Sequence, residues 1–428
     1  PVTVSANELD TLIGDFNSYI IPNSTDYDNI PQDPRNRITA SKVQLGQMLY
    51  HETGVTTAGS TGREGTWSCA SCHNAKAGFK AGIAQGIGDG GDAYGFAGEM
   101  RIVAPDVNPI VVDHQPVSSP TVLNVAFQDV MLWNGQFGNA EGSINSDVDE
   151  SVLSTMGTPK EENALGYSGV EIQALAGIGV HRLNMGEGSI VETNDDYQRM
   201  IQAVREKNAD TDGLTLHQVA ALSIAAFERT VLANQAPFQA YLRGDREAMG
   251  HAEIEGAKLF FGKAGCSACH SGPALSSPVG ASEGEMFMAL GFADLDRYNM
   301  THSNIAEDDA SRLGRGGFTG KEEDNYKFKI PPLYNLANAD FFGHGNSFTS
   351  VREVIEYKNA AIPQKYVDNL DPRFVPLNLT AQEIDNLVVF IEDALKDDDL
   401  TRYEPESLPS DKCIINDDLN SRYDLGCE

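Results

Sequence analysis

The chain has 428 residues, with 31 basic and 62 acidic side chains and a formal net charge of −31. At ~150 residues per domain this length predicts two or three domains, and 41% hydrophobic with 22% charged residues argues against wholesale disorder. The negative charge argues against nucleic acid as a partner, and no apolar run approaches the ~20 residues of a membrane span.

In chain order, four helices are predicted from capping boxes, in which a Ser or Thr and a Glu or Gln three positions later cap each other. They begin at Ser5, Thr215, Ser350 and Thr380. The first is expected to carry the apolar stripe Leu9, Ile13, Phe16 and Ile20; the second to run to about Leu232; the last to carry Ile384, Leu387, Val388, Ile391 and Leu395. Long Gly-rich stretches without strand alternation, such as 82–98, separate them. The pattern predicts a mainly α protein with long loops.

Two short motifs interrupt this pattern. They are Cys69-Ala-Ser-Cys72-His73 and Cys266-Ser-Ala-Cys269-His270. Cys-x-x-Cys-His is the attachment signature of c-type haem: each thiol bonds a vinyl group, and the histidine becomes the proximal iron ligand. A zinc site would need a second ligand pair nearby, and a thioredoxin-like motif would need a βαβ context. Neither is visible, so two covalently bound haem c groups are predicted.

Covalent haem implies maturation outside the cytoplasm, so a periplasmic, exported protein is expected. The absence of a charged and apolar leader at Pro1 is interpreted as a leader already removed. Cys413 and Cys427, in the tail, would then form a disulfide in an oxidising compartment, with a free pair as the alternative.

The two motifs follow similar passages, at 45–50 and at 256–260, which is a weak internal repeat. Two cytochrome c-like helical haem domains are therefore predicted. The first spans residues 1–245 and the second residues 246–428, with the tail.

Several further segments give the chain a resemblance to the bacterial di-haem cytochrome c peroxidase family, which includes the MauG-type enzymes. They are Ser119-Pro-Thr-Val-Leu-Asn124, Leu132-Trp-Asn-Gly135, Phe227-Glu-Arg-Thr230, Cys266-Ser-Ala-Cys-His-Ser-Gly-Pro273, Phe328-Lys-Ile-Pro331 and the segment around His344. The resemblance runs over most of residues 40–360. It implies two helical haem domains with a calcium ion between them, an N-terminal haem that handles peroxide and a C-terminal haem that passes electrons. Ser118 stands where family members have asparagine, which leaves the calcium open.

Carried over residue by residue, the resemblance makes His73 the proximal ligand of the peroxide-handling iron and His270 its counterpart on the electron-transfer iron. Trp133 matches the family tryptophan between the haems, where an aromatic ring relays an electron. The alternative for Trp133 is ordinary core packing.

Peroxide cleavage needs an open iron site and a group that moves a proton between the two oxygens. In the family a glutamine and a Glu-Met pair line this pocket. Here Gln173 matches the glutamine and Met185 the methionine, but Asn184 replaces the glutamate, and an amide cannot shuttle a proton. His181 is the predicted substitute base, or a ligand that closes the site; an ordinary polar helix residue is the alternative.

Resting family enzymes often carry a histidine on a mobile loop as a sixth ligand. His114 lies in the corresponding loop but out of register. A solvent-facing loop histidine is the favoured interpretation.

The C-terminal haem of family peroxidases takes a methionine, which MauG-type enzymes replace with tyrosine. Lys358 stands at that position, with Tyr357 beside it. Lys358 is expected on the buried helix face and is favoured as the iron ligand, in its neutral amine form. Tyr357, which a one-residue slip would bring in, is the alternative ligand, and a snorkelling surface lysine is the alternative role for Lys358. Met286, Met288 or Met300 could supply the thioether only from another loop, since no methionine follows Met300.

The predicted function is a periplasmic oxidoreductase that reduces hydrogen peroxide to water with electrons from a small cytochrome or copper protein. One alternative is a MauG-type enzyme that oxidises Trp or Tyr of a protein substrate, because an amine or phenolate ligand lowers a haem potential. The other is a closed di-haem electron-transfer protein.

Overall fold

The computed structural model describes residues 3–56, 61–277, 280–295 and 309–427, with side chains from residue 8 onward. In these ranges the α-helices are α1 Thr3–Ile13, α2 Ala40–His51, α3 Glu150–Leu153, α4 Gly169–Val180, α5 Ile190–Thr193, α6 Asp195–Lys207, α7 Leu216–Thr230, α8 Pro237–Leu242, α9 His251–Phe261, α10 Glu283–Met286, α11 Arg315–Thr319, α12 Val351–Ala360, α13 Ala381–Val389 and α14 Leu419–Leu425. Two antiparallel pairs of two-residue strands join β1 Gly91–Asp92 to β2 Ile102–Val103 and β3 Phe287–Met288 to β4 Phe328–Lys329. The mainly α prediction is confirmed. None of the helices described has the length and hydropathy to cross a bilayer.

The helix starts agree with the capping signals. Thr215 and Thr380 cap α7 and α13 with complete capping boxes, and the Ser350 hydroxyl accepts the Glu353 N–H at the start of α12. The first helix begins at Thr3, and the side chain of Ser5 lies outside the described residues. It ends at Ile13 because Gly14 adopts φ +73°, so the predicted stripe stops there.

Each half of the chain contains one close helix crossing that depends on a glycine. In the first, α2 crosses α7 at Gly46, where an added Cβ would lie 1.9 Å from the Ser223 carbonyl oxygen. In the second, α9 crosses α13 at Gly256, where an added Cβ would lie 2.0 Å from the Asn386 carbonyl oxygen. No side chain fits at either distance. The two predicted haem motifs follow these equivalent helices.

Each end of the chain packs against the opposite half of the molecule. Helix α1 packs against α9, and Glu8 forms an ion pair of 3.1 Å with Lys258. At the other end, the Ile415 carbonyl accepts hydrogen bonds from the hydroxyls of Ser68 (3.0 Å) and Ser71 (2.6 Å). The tail therefore lies directly over the first Cys-x-x-Cys-His motif. The predicted Cys413–Cys427 disulfide is confirmed, and it closes this tail.

Candidate haem-binding sites

Both Cys-x-x-Cys-His motifs form a single tight helical turn. The His73 N–H donates to the Cys69 carbonyl at 3.1 Å, and the His270 N–H donates to the Cys266 carbonyl at 2.9 Å. The turn brings the two cysteines of each motif to one side of the chain. The four motif cysteines take no part in a disulfide, in contrast to the bonded pair in the tail.

The imidazoles of the two motifs are oriented in the same way. The Nδ1 atom of His73 lies 3.4 Å from the Phe79 carbonyl oxygen, and that of His270 lies 2.9 Å from the Leu275 carbonyl oxygen. Because a carbonyl only accepts, Nδ1 carries the proton and Nε2 is left free to bind a metal. Burial lowers the pKa of both histidines to about 4, so both rings are neutral near pH 7, as a ligand must be.

The accepting carbonyls depend on unusual backbone conformations. Phe79 has φ +58° and Leu275 has φ +49°, in the left-handed region that residues with a Cβ rarely adopt. Each turns the chain sharply back after its motif, so that its carbonyl faces the histidine ring. Such conformations persist where the surrounding structure holds them, as it does at functional sites.

A cavity of about 380 Å³ lies against the second motif. Cys266, Cys269 and His270 line it, together with apolar side chains that include Phe260, Leu333, Phe342, Val354, Ile355, Phe374, Leu387 and Ile391. An apolar cavity that presents two thiols and a free imidazole nitrogen fits a covalently bound haem. Burial also raises the pKa of the Cys266 thiol to about 11.

Two buried cations in this cavity were missed from the sequence. Burial lowers the pKa of Lys80 to about 8 and that of Lys329 to about 7. The Lys80 ammonium donates to the Phe341 carbonyl at 3.0 Å, and that of Lys329 donates to the side-chain oxygen of Gln128. Their positive charges suit the carboxylates at the edge of a haem. Lys329 lies in the segment Phe328-Lys-Ile-Pro331 that carries the resemblance, but neither lysine was assigned a role, because the two lie far apart in the chain.

Lys358 and Tyr357, neighbours on α12, lie in different environments. Lys358 lines the cavity, its ammonium 5.9 Å from the Phe292 ring centre, and burial lowers its pKa to about 8. Its charge contributes to the low pKa of His270. Tyr357 does not line the cavity: its hydroxyl donates to the Leu290 carbonyl, and its ring packs among phenylalanines.

Of the three candidate methionines, Met288 also lines the cavity. Met286 packs instead in a small separate cluster with Val130 and Phe287. Met300 lies outside the described residues. Among the described residues considered, Lys358 and Met288 therefore line the cavity and could supply a second ligand to an iron held by His270.

His181 lies near His73 in the first half. It caps the end of α4, and its carbonyl accepts the Trp67 indole N–H at 3.0 Å, which ties it to the chain just before Cys69. Its charge contributes to the low pKa of His73. The distal position of His181 stays a prediction, and its charge interaction with His73 is compatible with it.

Asp113 orients His181. The Nδ1 atom of His181 lies 3.0 Å from Oδ2 of Asp113. Burial alone would lower the pKa of His181, but the charge and hydrogen bond of Asp113 outweigh it and raise that pKa. Burial would raise the pKa of Asp113, but the charge and hydrogen bond of His181 and the charges of Arg182 and His114 together lower it. Asp113 was not identified from the sequence, where only its neighbour His114 drew attention.

The other residues considered for the peroxide pocket differ in exposure and in their hydrogen bonds. Gln173 lies partly exposed on α4 and Met185 is fully buried. Asn184 is tied to its own loop, where its side chain donates to the Glu187 carbonyl at 3.1 Å. His114 points Nδ1 at the Val112 carbonyl, 2.7 Å away.

Trp133 lines the cavity of the second motif, on the side of the first half. Its indole N–H donates to the Ser118 carbonyl at 2.8 Å, and its ring centre lies 6.4 Å from that of His344. Ser118 is held at both backbone groups, because its N–H donates to the His344 carbonyl at 2.7 Å. No group of three or more His, Cys, Asp or Glu side chains is arranged for a metal ion in the described ranges.

A buried acid lies beside the first motif. Burial raises the pKa of Glu228 to about 8, and the nearby charge of Glu171 adds to the effect. The charge of the neighbouring Arg229 lowers this pKa only in part, and its guanidinium forms a two-pronged ion pair with Glu171 at 2.6 and 2.8 Å. Burial and the charge of Glu228 both raise the pKa of Cys69, which reaches about 12.

Comparison with known proteins finds a matching family model and relatives that cover most of the chain. Residues 40–247 match the model of the di-haem cytochrome c peroxidase family. The cytochrome-c peroxidase IdrP1 of Denitromonas iodatirespirans is 26% identical over 89% of this chain and 88% of its own length. The methylamine utilization protein MauG of Methylorubrum extorquens is 24% identical, over 85% and 81%.

Among solved structures, a MauG-like protein associated with microbial copper homeostasis has a TM-score of 0.59 at 22% identity. The similarity covers 89% of this chain and 95% of that one. At this identity the match concerns the fold.

Proposed function

The chain belongs to the di-haem cytochrome c peroxidase family and is an oxidoreductase, and we propose that it uses hydrogen peroxide as its oxidant. The family implies two c-type haems. The proposed attachment sites are the cysteines and histidines of the two motifs, and the proposed domains remain residues 1–245 and 246–428. The observation that carries the proposal is the His181–Asp113 pair beside His73.

Haem bound at His73 would supply the iron at which the O–O bond of peroxide is broken. The protein's part is to move a proton. His181 accepts the proton of one peroxide oxygen and returns it to the other, which leaves as water. Asp113 accepts from Nδ1 and so aims Nε2 away from itself. Because Asp113 raises the pKa of His181, it favours the form that delivers the proton.

The two electrons consumed come from outside, through the second haem and Trp133, in the proposed peroxidase reaction. The proposed donor is a small cytochrome or copper protein. The proposed compartment is the periplasm, which agrees with covalent haem and with the Cys413–Cys427 disulfide. Calcium stays a prediction from the resemblance alone.

A second function is favoured by one observation. Lys358 lines the same cavity as His270, at the sequence position where family peroxidases have methionine, and an amine ligand would lower the potential of a haem bound there. A second haem of low potential would be suited to sharing oxidising equivalents with the first haem for the oxidation of Trp or Tyr of a protein substrate. It would be less suited to oxidising a cytochrome.

The test is to mix the mature di-haem protein rapidly with hydrogen peroxide and to follow both haem spectra, with and without a reduced small cytochrome. The peroxidase reaction predicts a spectral change at one haem and catalytic oxidation of the donor. A spectral change without donor turnover supports oxidation of a protein substrate. A spectrum that does not respond to peroxide would refute both and leave the closed electron-transfer protein.

A further inference from the structure

Two tyrosines are stacked at the edge of the second cavity. The rings of Tyr326 and Tyr366 are 3.9 Å apart between centres and 11° from parallel, and both line the cavity. Tyr326 has φ +65° and Tyr366 has φ +56°, so both backbones are in the left-handed region. Two disfavoured conformations at one contact indicate that the surrounding structure holds this stack in place.

Tyr366 is hydrogen-bonded to a buried carboxylate. Its hydroxyl donates to Oδ2 of Asp294 at 2.5 Å, and Lys365 donates to the same oxygen at 2.9 Å. Nε2 of His344 lies 3.3 Å from the other oxygen, Oδ1, and Arg312 donates to Oδ2 at 3.2 Å. Asp294 is only 5% exposed. The phenol proton thus already points at an acceptor that is shielded from water.

Asp294 connects the two tyrosines, through His344, to the predicted electron relay Trp133. The His344 ring stacks on the Phe328 ring with 3.5 Å between centres. It also meets the Trp133 ring edge-on, with 6.4 Å between centres. Both tyrosines are partly exposed, whereas His344 is buried. A continuous series of aromatic rings and hydrogen bonds therefore runs from Trp133 to the protein surface.

We propose that Tyr366, with Tyr326 stacked on it, is a redox-active tyrosine that carries oxidising equivalents from the haem cavity to the surface. Tyr366 loses one electron toward the cavity and its phenol proton to Asp294, which leaves a neutral tyrosyl radical and a protonated carboxyl group. Stacking lets Tyr326 share the unpaired electron. A one-electron donor at the surface then reduces the radical, and Asp294 returns the proton.

This inference rests on the proposed function, because hydrogen peroxide is the source of the oxidising equivalents. It adds a second route, through the tyrosines, by which a surface donor supplies electrons to the cavity of the second motif. The chemistry required of the reductant is that of an exposed phenol, indole or small redox protein, each of which can give up one electron.

The test is electron paramagnetic resonance of the mature di-haem protein, frozen shortly after mixing with hydrogen peroxide. We expect a tyrosyl signal that Tyr366→Phe largely abolishes, that Tyr326→Phe makes shorter-lived, and that Tyr423→Phe leaves unchanged. Tyr423 is a matched control because it is 87% exposed on α14. Phenylalanine keeps the ring stack, so unchanged thermal unfolding of Tyr366→Phe would exclude a folding defect.

A second oxidant separates this inference from the proposed function. A photo-generated ruthenium(III) complex oxidises the same samples without peroxide. If peroxide leaves the haem spectra unchanged but the ruthenium arm gives a signal lost in Tyr366→Phe, the proposed function fails and the redox-active tyrosine stands. If both oxidants give signals that Tyr366→Phe does not reduce, or neither gives a tyrosyl signal, the inference is overturned.

Discussion

Trp133 and His344 occupy equivalent positions in two repeated segments, and their rings meet at 6.4 Å with an angle of 71°. Each lies within a turn closed by a bridge between hydrophobic residues, Met131 with Phe137 in the first half and Phe342 with Phe348 in the second. The internal repeat thus brings one aromatic residue from each half to a common boundary. This is where electrons would cross between the two haem sites.

The first prediction concerns this boundary. We expect Trp133→Phe to slow oxidation of the second haem after peroxide is added, while the reaction at the first haem keeps its rate. Loss of the indole N–H bond to Ser118 should cost only about 1 kcal/mol of stability. Stopped-flow spectroscopy at wavelengths specific to each haem measures both steps.

Trp67→Phe, at the other tryptophan, is the matched control. Since Trp67 holds the His181 carbonyl, this variant should slow the peroxide step and not the transfer between haems. Equal rates of transfer in Trp133→Phe and the parent would show that Trp133 is a packing residue only.

The second prediction concerns the ligand opposite His270. We expect Lys358→Met to raise the midpoint potential of the second haem, because a thioether replaces an amine. Tyr357→Phe should leave the potential unchanged, since the Tyr357 hydroxyl is engaged with Leu290. Met288→Leu is the discriminating variant: a large change in it, with none in Lys358→Met, would assign the ligand to Met288. Spectroelectrochemical titration gives each potential.

The third prediction concerns the proton-transfer pair. We expect His181→Ala to slow the reaction with peroxide ~100-fold or more, as loss of a general base does. Asp113→Asn should slow it ~10-fold, because it removes the group that orients the ring. His251→Ala, at an exposed histidine at the start of α9, should have no effect. A peroxide reaction as fast in His181→Ala as in the parent would remove His181 from the mechanism.

The fourth prediction concerns Glu228 and pH. Its folded-state pKa of about 8 exceeds the ordinary value of 4.5, so the folded state holds the proton more tightly. Stability should therefore fall as pH rises from about 4.5 to 8 and then level off. Glu228→Gln should not lose stability over this pH range. Because one pKa unit corresponds to ~1.4 kcal/mol, the free energy of unfolding of the variant at pH 9 should exceed that of the parent by an amount on the order of 2–4 kcal/mol.

The measurement is thermal unfolding of the haem-loaded protein at pH 5 and pH 9. Glu356→Gln, on the solvent side of α12, serves as the control and should follow the parent at both values. Parallel behaviour of Glu228→Gln and the parent would contradict the assignment.

The fifth prediction concerns the tail. Cys413 and Cys427 are separated by 14 positions, and a loop of about that length is worth ~3 kcal/mol. Replacing both with serine should lower the unfolding temperature and weaken protection of the Ser68 and Ser71 region from hydrogen exchange. Unchanged exchange there would show that the contacts of Ile415 suffice without the disulfide.

Features encoded over a few adjacent positions were predictable from the sequence. The spacing of the motif cysteines, the capping boxes at Thr215 and Thr380, and the tail disulfide are of this kind. In each, the chain between the partners is too short or too regular to allow many arrangements. The helix at Ser5 was placed less well, because Gly14 ends it before the predicted stripe is complete.

Contacts between distant loops were decided only by the tertiary structure. Asp113 and His181 are 68 positions apart, and Asp294 and Tyr366 are 72 positions apart, with no periodicity in the intervening loops. The choice between Lys358 and Tyr357 also required the fold, since neighbours on a helix point about 100° apart and helix rotation decides which one faces the cavity. The sequence alone therefore determined the local chemistry of the haem motifs, whereas packing of the two halves determined which charged groups surround them.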